Sequence, residues 1–415
     1  MKIQTIISPN KSSSIFLLVA IIFILSFFNI AGFSQTLSFY VTPFQTDSSY
    51  STTEDSSLIV RNTVTNNNKL VIFLGGGYST PGSYWAFCYK AATLSFDAIS
   101  LCYSNQTGVG FFAEYPDSLI FDKIRQELCF GTPVCDSVSV DTLHSIRVRL
   151  IKLIQYLELN FPSLNWGQYL TIDNEPDWSK IILAGHSLGS GNAAYLAKHF
   201  NVDRVLMFSG PNDYSTFFNQ PAPWLSNPGI TDTHKYFSYL SVLDELVPFE
   251  RQYSSISALG LLTNDDTTFV DYTVPPYSNS HCLYTTQPPG LGILYHNSTT
   301  LNSPINQPVW EYMLTSDSIP SKAPVIITAN KTWDVYPNPA INMFTITGTL
   351  NSSEEFSVNV YSVNGKLCFQ KSDITDAYGN FNLKFNFSNE NLKNGIYIIS
   401  LLKSTGIETT KMIKQ

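Results

Sequence analysis

The chain has 415 residues, room for two or three domains. With 44% hydrophobic and 13% charged residues it forms cores and is not a disordered chain. Its net charge of −8, with no basic stripe to neutralise phosphates, argues against a nucleic-acid partner.

The N-terminus reads as an export signal. Lys2 and Lys11 give a positive start, Ile15 to Phe28 is almost wholly apolar, and Gly32 and Ser34 are small residues at −3 and −1 of a cut before Gln35. No stable transmembrane segment is expected after that cut. Residues 35–315 follow as one expected domain. Ser38–Val41 and Leu58–Val60 are short strand candidates, and Leu70–Leu74 is a continuous apolar run ending in Gly75-Gly76-Gly77, as a buried parallel strand reads. Ser83–Leu94 has helical character and Asp97–Tyr103 reads as a strand. Leu143–Leu159 is an amphipathic helix with Ile146, Leu150, Leu153, Ile154 and Leu157 on one face. Further strands are expected at Ile181–Ala184, Arg204–Phe208, Tyr236–Val242 and, as the last, Thr268–Val274. Strands alternating with helices predict an α/β class, a mostly parallel sheet covered on both faces.

Two insertions interrupt the alternation, Gly108–Asp141 and Tyr214–Lys235, the second rich in aromatic residues and proline. Of six cysteines, Cys129 and Cys135 enclose a turn-rich loop and are the best disulfide pair for an exported protein, with Cys88 and Cys102 a second. No Cys/His spacing resembles a zinc site, and neither metal nor cofactor is expected. Residues 316–332 read as a linker. From 333 to 415 the pattern is purely β, with strands at Phe344–Ile346, Phe356–Tyr361, Lys366–Phe369, Phe381–Phe387 and Gly395–Leu401 and a hairpin signal at Asn364-Gly365: a small sandwich. That domain has seven lysines and seven acidic residues, so the −8 lies upstream.

The most chemically suggestive stretch is Gly185-His186-Ser187-Leu188-Gly189, between an apolar strand and a helix of small residues. A serine at the apex of such a turn is thrust out of the backbone, and the flanking glycines allow the tight approach of helix to strand. Its hydroxyl needs a base, and the base an orienting carboxylate. Backbone N–H groups of Leu188 and of Gly76 or Gly77 are candidates for an oxyanion hole.

This elbow, the strand order and the chain length resemble the α/β-hydrolase superfamily over about Leu58 to Leu314, in the neighbourhood of secreted esterases and lipases. The resemblance implies the chain order nucleophile, acid, histidine. Ser187 is then the nucleophile. Asp244, in Asp-x-x-Val-Pro, resembles the family acid, with Asp213 the main rival and Glu245 a weaker one. His281, in the loop after the expected last strand, is the first candidate for the base and His296 the second. The implied activity is a serine hydrolase acting on a small-molecule or lipid ester through an acyl-enzyme. The alternatives are a serine peptidase, or a non-catalytic surface protein that binds or adheres on a hydrolase scaffold.

In the C-terminal sandwich, Val335-Tyr336-Pro337-Asn338-Pro339-Ala340, Val360–Lys366, Asn394-Gly395-Ile396-Tyr397 and the final Lys411–Gln415 resemble the C-terminal sorting domain of the type IX secretion system. The resemblance implies the secretion machinery as a partner, and a secreted or cell-surface location.

Overall fold

A computed structural model describes residues 35–262, 267–316, 333–362, 367–386, 393–403 and 406–415. The expected signal segment, nearly all of the expected linker and the Asn364-Gly365 turn lie outside these residues. Among the described residues no helix is long and apolar enough to cross a membrane.

The large sheet is built from β1 (Thr36–Val41), β2 (Ser57–Asn62), β3 (Leu70–Leu74), β4 (Asp97–Leu101), β5 (Ile181–His186), β6 (Arg204–Phe208), β9 (Tyr236–Ser241), β10 (Thr267–Phe269) and β11 (Cys282–Thr285). A two-stranded hairpin, β7 (Tyr214–Ser215) with β8 (Gln220–Pro221), lies in the second insertion. The strand order is β1-β2-β4-β3-β5-β6-β9-β11-β10, with β2 antiparallel to both neighbours and the other pairs parallel. Every residue of β3, β5, β6 and β9 is buried, the consequence of helices on both faces.

Alternate side chains feed two cores. Leu70, Ile72, Ile181, Leu183 and Val205 pack under α2 (Ile120–Phe130), α3 (Ile146–Asn160) and α4 (Leu188–His199). Val71, Phe73, Ile182, Leu206 and Phe208 meet α1 (Trp85–Thr93) on the other face, with α6 (Asn306–Thr315) through Val309 and Trp310. A further helix, α5 (Phe249–Ala258), joins the first core through Phe249 and Ile256. Ser145 caps α3 by accepting from the Val148 N–H.

One element departs from expectation and moves the site. The run expected as the last strand supplies only β10 at the sheet edge. The strand paired beside β9 is β11, with Cys282 opposite Ser238. At four residues β11 is too short for a periodic signal.

The first insertion contains α2, and its cysteines are a second correction. Cys88, Cys102, Cys129 and Cys135 form no disulfide. Cys129 points its sulfur at the Asn192 carbonyl in the α2–α4 contact, 3.9 Å away, and burial pushes its pKa well up. Cys88 and Cys102 are likewise buried thiols, pushed up to about 12. The loop after α2 is closed by a carboxylate instead of a disulfide: buried Glu127 accepts the N–H groups of Val134, Cys135 and Val140 at 3.2, 2.9 and 3.1 Å.

Arg125, also on α2, is wholly buried. It grips Asp213 through two bonds of 3.0 and 2.6 Å and donates to the Leu188 carbonyl (2.6 Å) and Asn192 Oδ1 (2.7 Å) at the start of α4. Trp224 Nε1 adds a third donor to Asp213 at 2.8 Å. Burial opposes the charge on Arg125, but Asp213 more than compensates, so its pKa lies above the ordinary value. The two insertions are thus tied to each other and to the helix behind Ser187.

The C-terminal residues form a separate all-β sandwich. β12 (Trp333–Tyr336), β13 (Met343–Thr349) and β16 (Asn380–Asn386) make one sheet. β14 (Glu355–Ser362), β15 (Leu367–Ile374), β17 (Gly395–Lys403) and β18 (Gly406–Lys414) make the other. Phe344, Ile346, Val358, Ile399 and Leu401 fill the space between, and Phe344 stacks on Phe385 at 4.8 Å.

Removing one partner of a buried ion pair strands the other charge. Arg125→Ala is expected to cost about 3–5 kcal/mol in urea denaturation. A loss below about 1 kcal/mol would show that the pair does not anchor the insertions.

Candidate active site

The site is assembled at the C-terminal ends of the parallel strands. Between β5 and α4 the chain turns at Ser187, whose φ of 53° and ψ of −114° are unusual for a residue with a side chain. Two close approaches force this turn. A Cβ on Gly185 would overlap the Gly189 carbonyl, and one on Gly189 would overlap the Leu74 carbonyl at the end of β3. Ser187 is fixed by its N–H to the Phe208 carbonyl at 2.9 Å and remains partly exposed, while its neighbours are buried.

Asp244 follows β9 and is buried. One oxygen accepts the N–H groups of Leu246 and Val247 at 3.0 and 2.8 Å. The other accepts Gln252 Nε2 at 2.9 Å and His296 Nδ1 at 2.6 Å. A carboxylate only accepts, so Nδ1 of His296 carries the proton and Nε2 is its basic nitrogen. His296 sits in a short 3-10 turn, Tyr295–Thr300, after β11.

His186, immediately before Ser187, joins the histidine loop to the glycine loop. Its Nε2–H donates to the His296 carbonyl at 3.0 Å, and the two rings lie 5.0 Å apart. That tautomer leaves Nδ1 as acceptor for the Tyr84 hydroxyl at 3.1 Å. Tyr84 oxygen in turn accepts the Gly76 N–H at 2.8 Å. Burial, then the neighbouring His296, push the His186 pKa down to about 3, so it is a neutral linker.

The glycine loop lies against the serine: a Cβ on Gly76 would stand 2.9 Å from His186 Nδ1 and 3.3 Å from Ser187 Cβ. The Gly76 N–H is committed to Tyr84 and the Tyr78 N–H to the Asn105 carbonyl at 2.9 Å. Of the two glycines expected to donate, Gly76 is thus engaged within the protein, while Leu188 stands at the first position of α4.

Two expectations for the site need correcting. His281 precedes β11, so it lies at the opposite edge of the sheet from Ser187. It donates Nδ1–H to the Tyr236 carbonyl at 3.1 Å and stacks on Phe237 at 4.2 Å, and burial lowers its pKa. The histidine that the fold brings to Asp244 is His296. Asp213 is consumed by Arg125 and Trp224. The roles of Tyr84, His186 and Gln252 carry no sequence signal, because each depends on contacts between distant loops.

Residues 334–415 match the family described as "Secretion system C-terminal sorting domain". The last domain is a sorting domain. It directs export through the type IX system to the cell surface or the extracellular space, and implies contact with the secretion machinery. No curated protein matches the chain. Three solved structures are similar to parts of it. Dimeric latent PorU from Porphyromonas gingivalis is 21% identical over 20% of this chain and 9% of its own, with a TM-score of 0.18. Esterase B from Lactobacillus rhamnosis, crystallised as a tributyrin phosphonate-inhibited form, is 11% identical over 60% of this chain and 64% of its own, with a TM-score of 0.25. TT1662 from Thermus thermophilus is 14% identical over 63% and 94%, with a TM-score of 0.34. The chain thus spans less than two thirds of the length of the first two. The described residues thus combine a mostly parallel nine-stranded sheet covered by helices, with a tight turn at Ser187, and a C-terminal sorting domain.

The linker role of His186 has a pH signature. A histidine whose folded pKa lies below its unfolded value contributes stability that is complete above about pH 6.5 and is lost as pH falls towards 3. Between pH 7 and 4, urea denaturation of the wild type should lose about 3 kcal/mol more than His186→Asn. Parallel losses in the two proteins would contradict a buried neutral His186.

Proposed function

We propose that the protein is a secreted serine hydrolase of carboxylic esters, in which Ser187 is the nucleophile, His296 the base and Asp244 its orienting acid. The observation that carries this is the His296–Asp244 pair, 2.6 Å apart and buried, whose loop is bonded to His186, the residue before the serine of a strained strand-to-helix turn. His296 Nε2 takes the Ser187 proton as Oγ attacks the carbonyl carbon. Charge develops on the carbonyl oxygen, and the N–H groups of Leu188 and Gly77 stabilise it, a contribution of about 3–4 kcal/mol per donor. Asp244 holds Nδ1–H and stabilises the imidazolium without taking its proton. The imidazolium protonates the leaving alcohol, the acyl group stays on Ser187, and His296 then activates water to release the acid and restore the serine.

The substrate side favours an apolar acyl group. Exposed Tyr78, Phe111, Phe217, Leu246 and Leu294 stand on the loops that follow β3, β4, β6, β9 and β11, at the edge of the sheet that carries Ser187. These loops touch: the Thr216 N–H donates to the Ala113 carbonyl at 2.7 Å, and Glu245 reaches the Tyr295 N–H at 2.8 Å. Such a rim suits an acyl chain better than a charged peptide.

p-Nitrophenyl esters of graded acyl length test this. Wild-type turnover should rise from acetate to a longer acyl chain, and Ser187→Ala should lower kcat by at least ~10³-fold with the protein still folded. Equal turnover by Ser187→Ala would refute the nucleophile, and a preference for acetate would refute the apolar acyl site.

A further inference from the structure

Three independent bonds hold His296. Its ring is held by Asp244 and its carbonyl by His186. Its own N–H donates to Glu245 Oε2 at 3.0 Å, while the preceding Tyr295 N–H donates to Glu245 Oε1 at 2.8 Å. These two N–H groups begin a 3-10 turn whose N-cap, Leu294, offers no side-chain cap. They would otherwise be orphan donors. Adjacent carboxylates thus act on one residue: Asp244 on its imidazole, Glu245 on its backbone.

We propose that Glu245 is a positioning residue, a carboxylate clamp that keeps the His296 backbone in place so that its ring stays in register with Asp244 and Ser187. This rests on the catalytic assignment of His296 proposed above. Glu245 is the weakest of the three acid candidates on sequence grounds, and the geometry gives it a different role. Both its oxygens are turned to backbone N–H groups, whereas the imidazole is on Asp244. The sequence distance makes the clamp significant. Residues 245 and 295–296 lie on the loops after β9 and β11, joined at this point by the two carboxylates. Without Glu245 the 3-10 turn keeps its hold through the ring and the carbonyl but loses the one that fixes its first residues. Sub-ångström misplacement of a catalytic base is felt in the chemical step, not in substrate binding.

The test compares Glu245→Ala and the isosteric Glu245→Gln, alone and in a His296→Ala background, by steady-state kinetics on p-nitrophenyl butyrate and by proton NMR of the His296 Nδ1–H. Glu245→Ala should lower kcat about tenfold with KM unchanged. Glu245→Gln, whose amide oxygen can still accept one of the two N–H groups, should lose about threefold. In the His296→Ala background Glu245→Ala should add no further loss, because the clamp acts through that ring. The downfield Nδ1–H resonance, absent in His296→Ala, should broaden or shift in Glu245→Ala. An unchanged kcat with an unchanged resonance, a rise in KM alone, or an equal loss in both backgrounds would each overturn the clamp. Wild-type turnover by His296→Ala would instead sink the catalytic assignment, and the resonance would then decide separately whether Glu245 orders the His296 turn.

Discussion

No side chain fits between the first turn of α4 and the ends of β3 and β5. That steric limit is what the rest of the site depends on. Gly189 lies against the Leu74 carbonyl and Gly185 against the Gly189 carbonyl, so the residue left to absorb the change of direction is Ser187. It does so with a positive φ that costs on the order of 1–3 kcal/mol. The same approach brings the glycine loop after β3 alongside the serine and sets the N–H of Leu188 at a helix start. The positions of Ser187 and of the start of α4 are thus consequences of one close contact.

Around this contact lie buried charged and polar side chains that are paired with one another. Arg125 and Asp213 secure the back of α4. His186, kept neutral by burial, ties the loop of His296 to Tyr84 and through it to Gly76. Asp244 is surrounded by four donors. Stranding one of these charges would be costly, so the pairs hold together loops that are otherwise free to differ. Export is handled by a different domain, whose sandwich has a core of its own.

Much of the fold is legible in the sequence because buried parallel strands are continuous apolar runs. Leu70–Leu74 and Arg204–Phe208 are legible to the residue, and the elbow shows in its glycines. The histidine that meets Asp244 is not, and the reason is specific. β11 is four residues long, so the histidine before it reads like one after the last strand. Its true position, at the opposite edge of the sheet, follows from the pairing of Cys282 with Ser238, a long-range fact. The same holds for the Cys129–Cys135 loop. Spacing suggests a disulfide, but the loop is closed by Glu127, whose three backbone partners leave no trace in composition. Asp213 is a fair rival for the acid until the buried Arg125 beside it comes into view.

The central claim is that the fold pairs Ser187 with His296. It is tested most directly by the rate at which a fluorophosphonate labels Ser187, mapped by mass spectrometry, in the wild type, His296→Ala and His281→Ala. Rapid labelling of Ser187 is expected in the wild type, labelling slowed by at least ~10²-fold in His296→Ala, and a near wild-type rate in His281→Ala. Labelling that survives in His296→Ala and fails in a folded His281→Ala would contradict that claim.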